Sequence, residues 1–274
     1  MSDKNGPAIL LALDGCESTL TALPIASVLG DIEQASVRIL CVTDSDPPAE
    51  LLDRVKHETR DLEGFSVDAR TGEPSTQILR MAQELKPQII VLCRHIATAA
   101  QNALGSTATR VLREVACPLV LVSPERGLTA WRLHHVLVPH DGTPSTSVAL
   151  RPAAEIAEHA GAELVVVHVT DVRPAPTECG SLTVPPYVDQ PQHEWPAWSS
   201  EFVKRIACVC PLGHVHVRLT LAHGNPPAQL LRLAKAHSTD LMVLAWRGVW
   251  ETPRAAIFKD LIGEAHCPVM VVRT

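Results

Sequence analysis

Two kinds of stretch in this chain carry groups that a ligand site at strand and helix ends could use. Asp14-Gly15 closes an apolar run and is followed by Ser18, and Asp141-Gly142 closes a second run and is followed by Ser145. Gly105-Ser106-Thr107 opens a segment with helical periodicity. A helix beginning on Gly-Ser offers unpaired N–H groups and the positive end of its dipole to an anion, and glycine lets a phosphate come close to the backbone. The same residues have plainer uses. An Asp before Gly at a strand end caps turns and helices, and Gly-Ser is also an ordinary helix start.

A third constellation, Cys208-x-Cys210-x3-His214-x-His216, puts thiols and imidazoles of the kind zinc takes within nine residues. Its spacing matches no standard site. The cysteines end an amphipathic helix while the histidines face outward from a strand, so the reading is buried Cys beside surface His, with no metal. The remaining histidines are dispersed. Gly-x-Ser-x-Gly, His-Glu-x-x-His, Gly-x-Gly-x-x-Gly and Walker patterns do not occur, and no nucleophile stands with a base, so no catalytic residue is expected.

The elements that must position these groups are legible from periodicity. Near-continuous aliphatic runs predict strands at 8–13, 36–42, 66–71, 88–93 and 118–122, then at 135–140, 163–169, 214–222, 240–245 and 268–272, with helices between them. Strands apolar on both faces and alternating with helices imply parallel sheets covered on both sides. The run 214–222 differs, because Val215, Val217, Leu219 and Leu221 alternate with His214, His216, Arg218 and Thr220, as in a half-solvated edge strand.

The pattern is a repeat. Ala8 to Ser18 recurs as His135 to Ser145 at an offset of 127, Thr71-Gly72-Glu-Pro74 recurs as His223-Gly224-Asn-Pro226 at 152, and Cys117 to Val122 recurs as Cys267 to Val272 at 150. The growing offset puts about 25 extra residues in the second copy before Gly224. They fall at 173–198, alongside Tyr187, Trp195 and Trp198, and six prolines there forbid a regular helix until about Ser199. This insert reads either as a partner-binding loop or as a cover for the sheet edge. The domains are expected at 1–125 and 131–274.

Composition agrees with two ordinary globular domains: 274 residues, 46% hydrophobic and 20% charged. A formal net charge of −6 without a basic cluster argues against nucleic acid or an anionic membrane as partner. The apolar run Ala8 to Leu13 is too short for a signal or a membrane span, so a cytoplasmic protein is expected. Eight cysteines, mostly beside apolar residues, then read as buried small side chains rather than a disulfide framework.

The strand ending in Asp-Gly, the Gly-Glu-Pro turn before the third helix, and Leu104-Gly105-Ser106-Thr107 ahead of the Cys-Pro strand together resemble the universal stress protein family, twice over. The resemblance implies two tandem doubly wound α/β domains, each a five-stranded parallel sheet with helices on both faces. It implies self-association through the fifth strands, with a homodimer expected. In some members it implies an ATP site on a Gly-x2-Gly-x9-Gly-Ser/Thr loop. Carried onto this chain, that site would use Asp14, Val42, Arg94, His95, Gly105, Ser106 and Thr107. Only the helix end of the loop is kept, because Leu92 or Cys93 and His95 or Ile96 stand where the earlier glycines belong. Arg94 and His95 could replace lost contacts by charge, although Arg94 also reads as a solvated surface residue. In the second copy the helix end falls on Ala255-Ala256 and only Gly248 survives, so that copy is not expected to bind phosphate in the family's manner.

Two functions follow from these readings. One is a stress-response regulatory protein with weak adenine-nucleotide binding in the first copy. The other is a scaffold with lapsed loops, acting through dimer surfaces and the insert.

Overall fold

The computed structural model describes residues 6–13, 17–43, 49–60, 64–94, 104–123, 130–170, 200–204, 206–208, 214–248, 250 and 253–273. Asp14, His95, Cys210 and the insert at 173–198 lie outside the described residues. The chain divides into two units, residues 1–132 with 266–271, and residues 133–265 with 272–274.

In the first unit the strands are β1 (Ala8–Leu13), β2 (Ser36–Thr43), β3 (Phe65–Thr71), β4 (Ile89–Cys93) and β5 (Leu119–Val122). They pair in parallel in the order β3-β2-β1-β4-β5. All six residues of β1 are buried, so both faces of the central strand are covered. The crossovers are helical: α1 (Leu23–Glu33), α2 (Ala49–Glu58), α3 (Pro74–Leu85) and α4 (Ser106–Glu114). The order reverses direction between β1 and β4, which opens a crevice at the carboxyl ends of those strands.

The second unit repeats the plan with β6 (His135–Pro139), β7 (Glu163–Thr170), β8 (Val217–His223) and β9 (Leu241–Trp246), parallel in the order β9-β6-β7-β8. Its helices are α5 (Pro144–Ser147), α6 (Leu150–Ala160), α7 (Pro226–Ala236) and α8 (Pro253–Glu264), with further helical residues at 200–204 and 206–208. Strand β8 is the edge strand that its alternation predicts, and residues 214–219 are alternately exposed and half-buried. It begins at Val217 rather than 214, where pairing with Leu164 of β7 starts.

The repeat holds down to single bonds. Gly72 and Gly224 have φ of 119° and 116°, a conformation that favours glycine, and their N–H groups donate to the carbonyls of Thr43 and Thr170, both at 3.0 Å. The turn after each of these glycines ends in an extended N-cap residue, Glu73 before α3 and Asn225 before α7, followed at once by proline. Among the described residues no helix is long and apolar enough to cross a membrane.

The last strand, β10 (Val269–Arg273), contributes its residues up to Val271 to the first unit. There Val269, Met270 and Val271 pair antiparallel with Leu121, Val120 and Leu119 of β5. An exposed edge this apolar would template aggregation, and the pairing removes it. Val271 is 1% exposed. Val271→Lys should therefore lower unfolding stability by about 3 kcal/mol or more, because it buries an unpaired ammonium. Denaturant titration of the purified variant checks this, and unchanged stability would refute the burial argument.

At the start of α3, the Glu73 carboxylate accepts hydrogen bonds from the Ser75 N–H and hydroxyl at 3.1 and 2.6 Å, from the Thr76 N–H at 2.8 Å, and from Arg110 Nη1 of α4 at 2.9 Å. The hydroxyls of Ser75 and then Thr76 hold its carboxyl down at about 2. A depressed carboxyl stabilises the fold above its ordinary value of 4.5, and that contribution is lost as pH falls toward 2. Because the side chain is half exposed, its worth is that of a helix cap: Glu73→Ala should cost about 1 kcal/mol at neutral pH. The difference between variant and wild type should shrink below pH 4, as read from urea midpoints across pH.

Candidate functional site

The first unit has a cleft of about 190 Å³ at the point where its strand order reverses. Ala12 and Leu13 of β1, Val42 of β2 and Leu92 and Cys93 of β4 form its floor, Pro74 and Ile78 of α3 one wall, and Gly105, Ser106, Thr107 and Ala108 the other. The crevice exists because β1 and β4 send their crossovers in opposite directions, and the helix that follows β4 then aims its N-terminus across the strand ends. Gly105 is extended (φ −63°, ψ 164°) and supplies no side-chain cap, unlike Glu73 at α3 and Asn225 at α7. The wall formed by α4 is thus a run of first-turn N–H groups carrying the positive end of a helix dipole.

Of the residues singled out from the sequence, Val42, Gly105, Ser106 and Thr107 meet in this cleft. Asp14 and His95 lie outside the described residues. Arg94 is not the solvated surface residue of the alternative reading. It is 4% exposed, because its backbone continues β4 and donates from its N–H to the Val122 carbonyl at 2.8 Å, which carries the side chain into the interior. Arg94 is not among the residues that line the cleft. Sequence reasoning missed the apolar contribution of Leu13 and Ile78, since aliphatic residues at a strand end or on a helix face look like any other core. Cys93, with Leu92 a candidate position of a lost loop glycine, has its Sγ 3.8 Å from the Thr21 hydroxyl.

The second unit brings different side chains to the corresponding positions. Asp141 is committed to its turn: Oδ1 accepts from the Thr143 N–H at 3.0 Å, the Thr143 hydroxyl at 2.6 Å and the Thr146 hydroxyl at 2.8 Å. His140 and His168, at the repeat offset from Leu13 and Cys41, are 6% and 4% exposed beneath the ring of Phe202. Burial pushes His140 down to about 4, and burial lowers His168 as well. Ala255, the counterpart of Gly105, is the third residue of α8 and fully buried rather than a cap. Phe258, the counterpart of Ala108, stacks on Trp246 at 4.2 Å, and Trp250 packs on Trp246 at 4.4 Å with Lys259 Nζ 5.4 Å from the Trp250 ring centre. Aromatic rings thus fill the region where the first unit has its cleft.

The thiols of Cys41 and Cys117 are raised by burial to about 11, which makes them poor nucleophiles at neutral pH. Cys208 corrects the expectation of a buried Cys beside surface His, because it is exposed. Phe202 and Ile206, four residues apart, take the inward face of that helical stretch, and position 208 falls on the opposite side. Among the described residues no group of three or more His, Cys, Asp or Glu side chains is placed to hold a metal.

Residues 50–123 and 132–273 match the universal stress protein family. A universal stress protein of Methanocaldococcus jannaschii is 24% identical over 144 residues, half of this chain and 81% of that protein. Two solved structures align along nearly the whole length. A protein of unknown function from Pseudomonas aeruginosa has a TM-score of 0.69 at 17% identity, covering 98% of this chain and 93% of its own. A universal stress protein from Archaeoglobus fulgidus has a TM-score of 0.65 at 16% identity, covering 100% and 99%. At these identities the structures establish the fold, a doubly wound α/β architecture present twice, and the family match covers most of both halves. The chain belongs to the universal stress protein family.

Proposed function

We propose that this protein is a stress-response regulator of the universal stress protein family that binds an adenine nucleotide weakly in its first domain and not in its second. The domains in this reading are residues 1–125 and 131–274, the protein works in the cytoplasm, and it associates as a homodimer. One observation carries the nucleotide reading: the uncapped N-terminus of α4 forms a wall of the cleft at the strand reversal of the first unit, whereas aromatic side chains occupy the matching region of the second. Apolar Ala12, Leu13, Val42 and Ile78 suit the faces of a base, and the N–H groups of Ser106 and Thr107 suit a phosphate. Asp14, the residue after β1, is assigned the polar edge of the base, with His95 near the phosphates, whereas Arg94, buried and outside the cleft lining, is assigned no contact with the nucleotide.

The cleft also argues for weakness. At about 190 Å³ it is smaller than the roughly 300 Å³ from which pockets for drug-sized ligands begin, so part of a nucleotide would stay in water. Leu92 or Cys93, and His95 or Ile96, put side chains where the family's loop glycines would let backbone close over phosphates. Each lost charge-assisted contact costs about 1.5 to 3 kcal/mol, which sets the expected Kd for ATP at micromolar or weaker. The same substitutions favour a second reading, a scaffold that binds no nucleotide and acts through its surfaces and the insert.

Calorimetry with ATP separates the two. Gly105 has the φ of an ordinary residue and open space where a Cβ would stand, so Gly105→Asp should fold and should cap α4, raising stability by a few tenths of a kcal/mol. The same carboxylate should abolish binding by occupying the N–H groups and repelling phosphate. Asp141→Ala, in the second domain, should leave affinity unchanged. Binding lost in Asp141→Ala but kept in Gly105→Asp would move the site to the other half, and no heat at millimolar ATP would establish the scaffold. Light scattering at twice the chain mass is the expected result for the homodimer.

A further inference from the structure

The second unit buries two imidazoles that neither reading uses, and their hydrogen bonds fix where each proton sits. His140 Nδ1 accepts the Gly142 N–H at 2.9 Å, so it carries no proton. Its proton is on Nε2, 2.9 Å from the Ser147 hydroxyl, which in turn donates to the Thr143 carbonyl at 3.1 Å. His168 Nδ1 lies 2.7 Å from the His140 carbonyl oxygen and must donate to it. Phe202 closes this pair from above, edge-on to His140 with ring centres 5.0 Å apart and tilted on His168 at 5.7 Å. Phe202 is 2% exposed and Ile206, one turn on, is 4% exposed, so the helical residues 200–204 and 206–208 are anchored here by two side chains.

A second proton on His140 is incompatible with this packing. It would set an Nδ1–H against the Gly142 N–H, donor facing donor, and would leave a charge under an aromatic ring with little access to water. We propose that the helical residues 200–204 and 206–208 form an acid-released latch over the strand ends of the second unit, with Phe202 as its anchor and His140 and His168 as its proton sensors. The surrounding charges do not cancel the effect. Asp141 lies beside His140 and favours its protonation, but its Oδ1 already accepts three hydrogen bonds. His168 acts against a charge on His140, and His223 acts against one on His168. Glu201 and Lys204 of the latch itself are exposed. Both imidazoles are neutral when closed, so the closed state is fully favoured above about 6.5 and loses ground as pH falls from there.

Hydrogen–deuterium exchange of the full chain at pH 7.5 and 5.0, corrected for intrinsic rates, tests the latch. A histidine that moves from about 4 when closed to its ordinary 6.5 when open should raise the opening equilibrium about thirtyfold over this range. The rise should be confined to peptides covering 140–149 and 200–208, with 74–85 of the first unit unchanged. His140→Asn with His168→Asn, which retains an acceptor for Gly142 and a donor for the His140 carbonyl, should remove the pH dependence. An equal response in that double variant, or no local rise in wild type, overturns the proposal. Should the double variant not fold, imidazole NMR of wild type decides. Both rings staying neutral until the Phe202 resonances shift with the same midpoint supports the latch; ordinary titration near 6.5 with Phe202 unmoved overturns it.

Discussion

The first strand of each unit cannot meet water on either face, and most of the architecture follows from that. Ile9, Leu10 and Leu11 in β1, and Val136, Leu137 and Val138 in β6, are wholly buried. A strand apolar on both sides needs a covering layer on each, and in a parallel sheet the crossovers supply it. Crossovers leaving the neighbouring strands β1 and β4 toward opposite edges part at the carboxyl ends of those strands, and the crevice in the first unit is the result. The site is therefore a by-product of how the core is covered, and its floor is made of core residues.

Given the same crevice geometry, the two units differ in what fills it. In the first, Gly105 opens α4 without a side-chain cap, and small residues such as Ala12 and Ala108 leave space beside it. In the second, Phe258 stands in place of Ala108, Trp246 in place of Arg94, and Phe202 arrives from the segment before β8. Phe258 in place of Ala108, and Phe202 over the two histidines, add buried aromatic area that stabilises the unit. Retention of an opening in one copy, against aromatic closure in the other, is the division of labour on which our functional reading rests.

Burial also governs the chemistry of the titratable groups. The half-exposed carboxylate of Glu73 is held ionised by hydroxyls and N–H groups, whereas the imidazoles of His140 and His168 are held neutral because water cannot reach them. The first arrangement fastens a helix; the second makes packing depend on a proton.

The sequence by itself determined the ten strands, the repeat, the doubly wound class and the edge character of β8, because unbroken aliphatic runs and strict alternation have one low-energy outcome each. It also singled out Gly105-Ser106-Thr107, since a Gly-Ser helix start carries a local signature, whereas Val42 came only from the family resemblance. Only the tertiary structure decided that Arg94 is buried, that Cys208 is exposed, that Asp141 spends its carboxylate on Thr143 and Thr146, and that Phe202 covers two histidines far from it in sequence. Those outcomes depend on which face of an element meets which neighbour. Periodicity reports that a residue has an inner or outer face, but the partner that waits there is set by contacts between segments distant along the chain.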